Sequence, residues 1–440
     1  MKKHTIRIAA LAAAACGFLL LSGCAANAAA AADPITEASL AADAVTSAQP
    51  ASIEARAETL AYFSGIDAEA FAENEPAEEP VPVATVATES GGVFNAAELF
   101  TERDFEQAAD LTDAIYFTVS DGEDIHIAEA GVYVLSGSAS EVTVYVEAAE
   151  DAKVQLVLDG VSITNTGFPC VYVKSADKVF ITTSADSSLS VTGSFTPDGD
   201  TNTDGVIFSR ADLTLNGTAA LTITSTDNGV VCKDDLKVTG GSYTITAASK
   251  CFEAHDSIRI AGGTFVLTAG TDALHAEYDE DDTVGYILIT DGGFTISAGD
   301  DGIHAVTVAQ IDGGTFEISA GEGIEASRIQ INDGTINISS RDDGINGAFK
   351  SSAYRATVEI NGGDITVVMA SGDTDGIDCN GDLIITGGTI DVSGMSSFDY
   401  DGFGQYNGGT IIVNGQTVSS LPNQMGGASG GMGGRGRRWG

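Results

Sequence analysis

Acidic and imidazole side chains recur in this sequence at a spacing that points to cation chemistry. Between Gly292 and Asn346 an acid followed by Gly and Ile returns as Asp301-Gly302-Ile303, Glu322-Gly323-Ile324 and Asp343-Gly344-Ile345, about 20 residues apart. Further copies add Asp272, Asp375 and Asp401 to this first series, and His275, His304, Glu325, Asn346 and Asp378 form a second series three residues further along. Hard divalent cations favour oxygen ligands, and paired carboxylates such as Asp300-Asp301 and Asp342-Asp343 suit calcium. The expected ligand set is therefore Asp272, Asp300, Asp301, Glu322, Asp342, Asp343, Asp375 and Asp378. The competing reading is that Asp-Gly simply favours the turn and leaves the side chains solvated. His275 and His304 are either ligands or stacked rings bonded to neighbouring carboxylates. The run Glu277, Asp279, Asp281 is a second candidate calcium loop or a solvated charge run.

The elements that position these residues follow from the same repeat. Turn pairs recur at Gly240-Gly241, Gly262-Gly263, Gly292-Gly293, Gly313-Gly314, Asp333-Gly334, Gly362-Gly363, Gly387-Gly388 and Gly408-Gly409. Longer intervals contain insertions at Glu277 to Gly285, Gly347 to Arg355 and Met369 to Thr374. After each turn, alternation puts Phe265 and Leu267, Phe316 and Ile318, Ile336 and Ile338 on one face. A second short strand follows the acidic turn (Leu274, Ile303, Ile324, Ile345, Ile377), and a third closes each copy (Ile258 and Ile260, Ile329 and Ile331, Val358 and Ile360). Three short strands per coil with glycine corners and no helical period predict an all-β, right-handed parallel β-helix. Asn361-Gly362 and Asn407-Gly408 could be hairpin turns of a sandwich or propeller, but four-stranded blades need about twice this period. Coils about 4.8 Å apart bring the acids together. Two such carboxylates repel by roughly 3 to 4 kcal/mol at an effective dielectric of about 20, so something must offset a ladder of them.

Composition narrows the partners. Asp and Glu number 63 against 20 Lys and Arg, a formal net charge of −43, which repels nucleic acid and anionic membrane and attracts cations. Lys2, Lys3 and Arg7 precede an apolar run from Ile8 to Leu21, too short for a comfortable membrane span, that closes on Leu21-Ser22-Gly23-Cys24. This resembles a bacterial lipoprotein box, with Cys24 carrying the lipid. The expected organisation is a signal peptide over 1–23, a lipid-anchored low-complexity linker over 24–98, a β-helix over 99–421 and a Gly-rich tail over 422–440. Tyr62 and Phe63 interrupt the linker. Cys170, Cys232, Cys251 and Cys379 lack metal-site spacing and read as small buried fillers, with their pairing left open.

Several segments carry a family resemblance between about Phe100 and Gly415: FTERD at Phe100 to Asp104, KVQLVLDGVSITN at Lys153 to Asn165, YVKSADKVFI at Tyr172 to Ile181, KDDLKVTGG at Lys233 to Gly241, SIRIAGGTF at Ser257 to Phe265 and FDYDG at Phe398 to Gly402. Together they resemble the cell-surface carbohydrate-binding β-helix proteins of Gram-positive bacteria, typified by a clostridial cellulose- and pectate-binding protein and similar in fold to pectate lyases. The resemblance implies a calcium-binding β-helix that binds cellulose or acidic plant polysaccharide, usually without demonstrated catalysis. The chain departs from that pattern at Lys250-Cys251-Phe252-Glu253, where an Asp-Gly-Ile-Lys turn is usual.

Three functions follow as expectations. The first is a monomeric lipoprotein on the extracellular face of the membrane that binds polysaccharide through calcium, such as polygalacturonate. The second is a calcium-dependent lyase, which needs a neutral Lys or an Arg as base, with Lys233, Lys250, Arg259 and Arg341 candidates by type. The third is an adhesive surface rod. Phe265, Phe294 and Phe316 look committed to the core, which weakens an aromatic cellulose platform.

Overall fold

The computed structural model describes residues 92–371 and 374–423. The leader, Cys24, Tyr62, Phe63, the linker up to residue 91 and the tail from residue 424 lie outside them.

The expected alternation builds three parallel sheets that the chain visits in turn. Sheet A holds the strands after the glycine corners, among them Gly293–Ala298, Thr315–Ala320 and Thr335–Ser340, each paired to the next coil. Sheet B holds the short strands after the acidic turns, such as Leu274–Ala276 and Ile345–Gly347. Sheet C holds the third set, such as Tyr286–Ile289 and Thr357–Ile360. Pairing between coils is parallel throughout these sheets, which makes a parallel β-helix and excludes a hairpin sandwich. The three anticipated insertions fall between strands, after Ala276, Gly347 and Met369.

Stacking in register turns the inward residues into continuous columns. Phe265, Phe294 and Phe316 lie opposite one another, their rings 4.6 Å apart and almost parallel, and all three are buried. Each fully buried ring contributes about 1.5 to 3 kcal/mol, so these columns hold the coils together. The four described cysteines are buried, free fillers in the same core, as their isolation in sequence suggests. Burial pushes the Cys170 thiol up to about 12 and that of Cys379 up to about 11.

The glycine corner of one copy differs from the sequence reading. Gly293 lies opposite Thr264 and Thr315 as a strand residue, so the turn pair there is Asp291-Gly292, not Gly292-Gly293. Gly292 takes the positive φ that its equivalents Gly263 and Gly314 also take, and a Cβ on Gly314 would sit 2.9 Å from the Gly292 carbonyl.

Both ends of the coil stack are atypical. At the C-terminal end Thr410–Val413 turns back through Asn414-Gly415, both at positive φ, to pair antiparallel with Gln416–Val418. Ahead of the first coil in the chain, residues 92–98 belong to the folded body and not to a linker. Asn95 caps a one-turn helix, Ala96–Leu99, and the segment crosses the outer face of sheet C against the direction of coil growth. Val93 N donates to Gln330 Oε1 at 2.8 Å, Phe94 N to Gln310 Oε1 at 2.7 Å, and Phe94 stacks on Tyr286. Further along, Asp104 is wholly buried between Lys178 and Lys237, and Gly217 N donates to Gln107 Oε1. Against the cost of its burial, the bonds from Lys178 and the Thr101 backbone, with the charges of Lys178 and Lys237, hold the Asp104 carboxyl down at about 2.

Candidate functional site

The strands of sheet B are short and their middle side chain points outward, so each coil adds one residue to a row on the surface. Pairing sets that row as Glu253, His275, His304, Glu325, Asn346, Asp378 and Asp399. A second row lies three residues earlier in each copy, at the acidic turn. There Asp301 faces Glu322 and Asp375 faces Ser396. Asp401 is therefore not a member: the position is taken by Ser396, whose hydroxyl bonds Asp375 Oδ1, and Asp401 lies in the turn after the strand. The turn acids are held by the backbone, since Asp301 N donates to Asp272 Oδ1 at 3.0 Å and Asp375 N to Asp343 Oδ1 at 2.9 Å.

In the middle coils the ladder neutralises itself. His275 Nδ1 is 2.8 Å from Asp272 Oδ2, and His304 Nδ1 is 2.7 Å from Asp301 Oδ2 and 3.0 Å from Glu325 Oε2. The two rings stack at 4.6 Å. Glu277, at the start of the insertion, turns back to place Oε2 3.1 Å from His275 Nε2. Burial disfavours the charged imidazole, but the bonds to Asp301 and Glu325 outweigh it and raise His304 to about 10. Its Nδ1 is thereby shared between two carboxylates, one on its own coil and one on the next. Lys350 Nζ lies 2.8 Å from Glu325 Oε2. Burial opposes ionisation of Glu325, yet its bonds from His304 and Lys350 lower it.

One coil earlier the arrangement inverts. Lys250 sits where Asp272 sits and Glu253 where His275 sits, 3.2 Å apart, with Lys233 Nζ 2.8 Å from the other Glu253 oxygen. Against the cost of burial, the two lysines hold Glu253 down at about 2. The departure at Lys250 to Glu253 is thus an ion pair with its charges exchanged.

Toward the C-terminal coils the cations stop. Carboxylate oxygens of Asp375, Asp378 and Asp399 lie within 4.8 Å of one another. Asp378 is pushed up to about 7, by burial first and then by the charges of Asp343, Asp375, Asp399 and Asp401. Asp343 rises to about 6 and Glu322 to about 8, again chiefly through burial. Asp399 Oδ1 and Asn346 Oδ1 are buried with no hydrogen-bond partner. These are the orphaned acceptors that an oxygen-seeking cation would satisfy.

The remaining candidates disperse. Asp300 and Asp342 are exposed and outside these clusters, because each precedes the turn acid whose side chain points inward along the ladder. In the insertion Asp281 caps its own turn through Thr283, Asp279 is exposed, and only Glu277 reaches the ladder. The four basic candidates are occupied: Lys233 and Lys250 by Glu253, Arg259 by both oxygens of Asp235, and Arg341 by the Gly299 carbonyl. Sequence reasoning missed Lys350 and Asp399, and read Glu253 only as a departure. The i, i+3 spacing of Lys250 to Glu253 and of Ser396 to Asp399 repeats that of Asp272 to His275 and was the available signal, whereas Lys350 lies in an insertion with no period.

The sequence profile of a family described as carbohydrate-binding domain-containing protein matches residues 121–373 and 322–419. A carbohydrate-binding domain-containing protein of Acetivibrio thermocellus is 35% identical over 144 residues, which is 32% of this chain and 49% of that relative, so the chain spans about half the relative's length. A solved structure described as a polysaccharide lyase-like protein from C. thermocellum, gadolinium derivative, is 21% identical, with a TM-score of 0.35 over 68% of this chain and 94% of that one.

Proposed function

This chain belongs to the carbohydrate-binding domain-containing protein family, and from that premise we propose that it binds acidic polysaccharide at the cell surface through calcium held at the acidic end of the sheet B ladder. Asp375, Asp378 and Asp399 would hold the ion, with Asn346 and Asp343 beside them. The observation that carries the reading is the pair of buried, unpartnered oxygens, Asp399 Oδ1 and Asn346 Oδ1, next to an Asp378 carboxyl pushed up to about 7. An all-oxygen donor set suits calcium, which takes roughly six to eight such ligands. When bound, the ion supplies the positive charge through which a −43 protein can hold a polyuronate that it would otherwise repel.

The chain's own residues favour that end over the middle coils. His304 and Lys350 already neutralise Asp301 and Glu325, which leaves the middle coils without need of a cation. A lyase is the weaker reading, since each basic candidate is already bonded to a carboxylate or a carbonyl. The leader and Cys24 support a lipid anchor facing outward, with the chain acting as a monomer.

Calorimetric titration of calcium into chelator-stripped protein tests this. Saturable binding is expected, lost in Asp375→Asn with Asp378→Asn and kept in Asp272→Asn. Polygalacturonate should be retained in calcium and released by chelator. Retention that ignores chelator, or release of ultraviolet-absorbing unsaturated oligouronides, would overturn the reading.

A further inference from the structure

The deepest contact between the segment 92–107 and sheet C is made by Asp104, which is fully buried. Lys178 Nζ lies 2.5 Å from its Oδ1 and Lys237 Nζ 3.5 Å from its Oδ2, and both lysine side chains are buried as well. Aromatic rings wall the cluster: Lys178 Nζ is 5.0 Å from the centre of the Phe180 ring, and Lys237 Nζ is 6.0 Å from that of Phe100. The two carboxylate oxygens have different surroundings. Oδ2 accepts from Thr101 N at 2.8 Å and from Thr101 Oγ1 at 3.0 Å, with Lys237 beside it, whereas Oδ1 meets Lys178 and the Thr214 hydroxyl, 3.2 Å away. The backbone carbonyl of Asp104 accepts from Asn216 Nδ2 and Thr239 Oγ1, so the acid is pinned at both its ends.

We propose that Lys178 Nζ and Asp104 Cγ condense to an intramolecular amide, a covalent staple that fixes the segment 92–107 to sheet C. The inference depends neither on calcium nor on polysaccharide. The ion pair described above is the unreacted state, and its reactive form is the one in which a proton has passed from Nζ to Oδ1 along their short bond. In water that neutral pair is rare, but in a dry pocket both charges of the ion pair must be desolvated, which brings the neutral pair closer in free energy. The amine, held in contact with the carboxyl group by the fold, then attacks Cγ. Negative charge developing on Oδ2 is met by the Thr101 N–H, the Thr101 hydroxyl and Lys237, donors already aimed at that oxygen. The Cγ–Oδ1 bond breaks, and Oδ1 leaves as water with the proton it received and a second one from Nζ. One ammonium and one carboxylate are thus exchanged for one amide and one water, with no oxidant or cofactor. Lys237 remains against the amide oxygen, and burial lowers its pKa, which lets it stay there uncharged.

The staple closes a covalent loop between positions 74 apart. That loop contains the first strand of sheet C, Ile115–Thr118, which pairs with Gly131–Ser140 and leaves Ile115 and Tyr116 exposed. An end strand of this kind is where a stack of coils opens first. A pull on the chain ahead of Asp104 would pass straight to Lys178 and leave those coils unloaded.

Tryptic mapping of the denatured full chain by mass spectrometry tests the proposal. Trypsin cuts after Arg103, so the expected product is one branched species in which peptide 104–153 is joined to peptide 175–210, uncut at Lys178 and lighter by one water than the two together. Lys178→Arg keeps the positive charge and should give unjoined peptides and the full sequence mass. Thr101→Val removes the hydroxyl donor to Oδ2 and should slow formation of the joined species, followed from the moment of cell-free synthesis, on the order of a hundredfold. Unjoined peptides from the wild type, cut after Lys178, overturn the proposal whether or not either variant folds. A joined species that persists in Lys178→Arg overturns it as well, since the attacking amine is then another lysine.

Discussion

Lys350 reaches out of the insertion between Gly347 and Thr357 to set its Nζ 2.8 Å from Glu325 Oε2. That contact marks the boundary in the ladder. On its N-terminal side every acid of the outward row has a basic neighbour, and beyond it Asp378 is surrounded by carboxylates. Lys350→Met should cost about 1 kcal/mol of stability in urea denaturation, a modest value because the lysine is about a third exposed. Adding Glu325→Gln should recover most of that loss. An unchanged midpoint in the single variant would show that the pair adds nothing.

Calcium should raise the melting temperature. A ligand that binds only the folded chain adds about 2.7 kcal/mol at a hundredfold excess over its Kd. The gain should vanish in Asp375→Asn with Asp378→Asn and survive in His304→Gln. Calorimetric scans with calcium and with chelator give the comparison, and a gain that persists in the Asn variant would place the ion elsewhere.

In chelator, stability should fall as pH rises from about 5 to 8. Asp343, Asp378 and Glu322 have folded values of about 6, 7 and 8, above their unfolded values, so the stability they contribute is full below about pH 4 and is lost as each ionises. His304, raised to about 10, acts in the same direction from its unfolded value of 6.5 upward. Calcium should flatten the part below pH 8. The check is a series of thermal melts against pH, and a melting temperature that climbs over this range in chelator would contradict the assignment.

Asp104→Ala should be among the most damaging single changes, at about 3 to 5 kcal/mol, because it leaves Lys178 and Lys237 buried side by side without their counterion. Denaturant midpoints measure this. Addition of Lys237→Met should restore part of the loss.

The core was legible because stacking rewards the same residue at the same place. The column Phe265, Phe294, Phe316 can be read from alternation alone, and so can the second-strand column Leu274, Ile303, Ile324, Ile345 and Ile377. Where two adjacent residues have the same type, the sequence holds no register, which is why Gly292-Gly293 was displaced by one. The ladder was followed by acidity, so it ran on to Asp401 where a hydroxyl, Ser396, continues it, and it passed over Glu253, whose pair has the charges exchanged. Asp300 and Asp342 are exposed and outside the clustered acids, since adjacent residues on a strand-like path face opposite ways. Residues 92–98 carry no period, and their order comes from partners such as Gln330, 237 positions away from Val93.

The segment from Val93 to Gln107 also acts as a ruler. It is fastened to Gln330 at one end and Gly217 at the other, and its backbone length between them is fixed. A solenoid ordinarily grows or shrinks by duplicating or deleting a coil, since each coil touches only its neighbours. Here a coil gained or lost between Gly217 and Gln330 would leave the ruler too short or too long, unseating Phe94 from Tyr286 or Asp104 from its lysines. Changes in coil number are thus confined to coils outside the stretch from Lys178 to Gln330, and those on the C-terminal side hold the acidic end of the ladder. The middle of the scaffold is counted, and the acidic end of the ladder is free to vary.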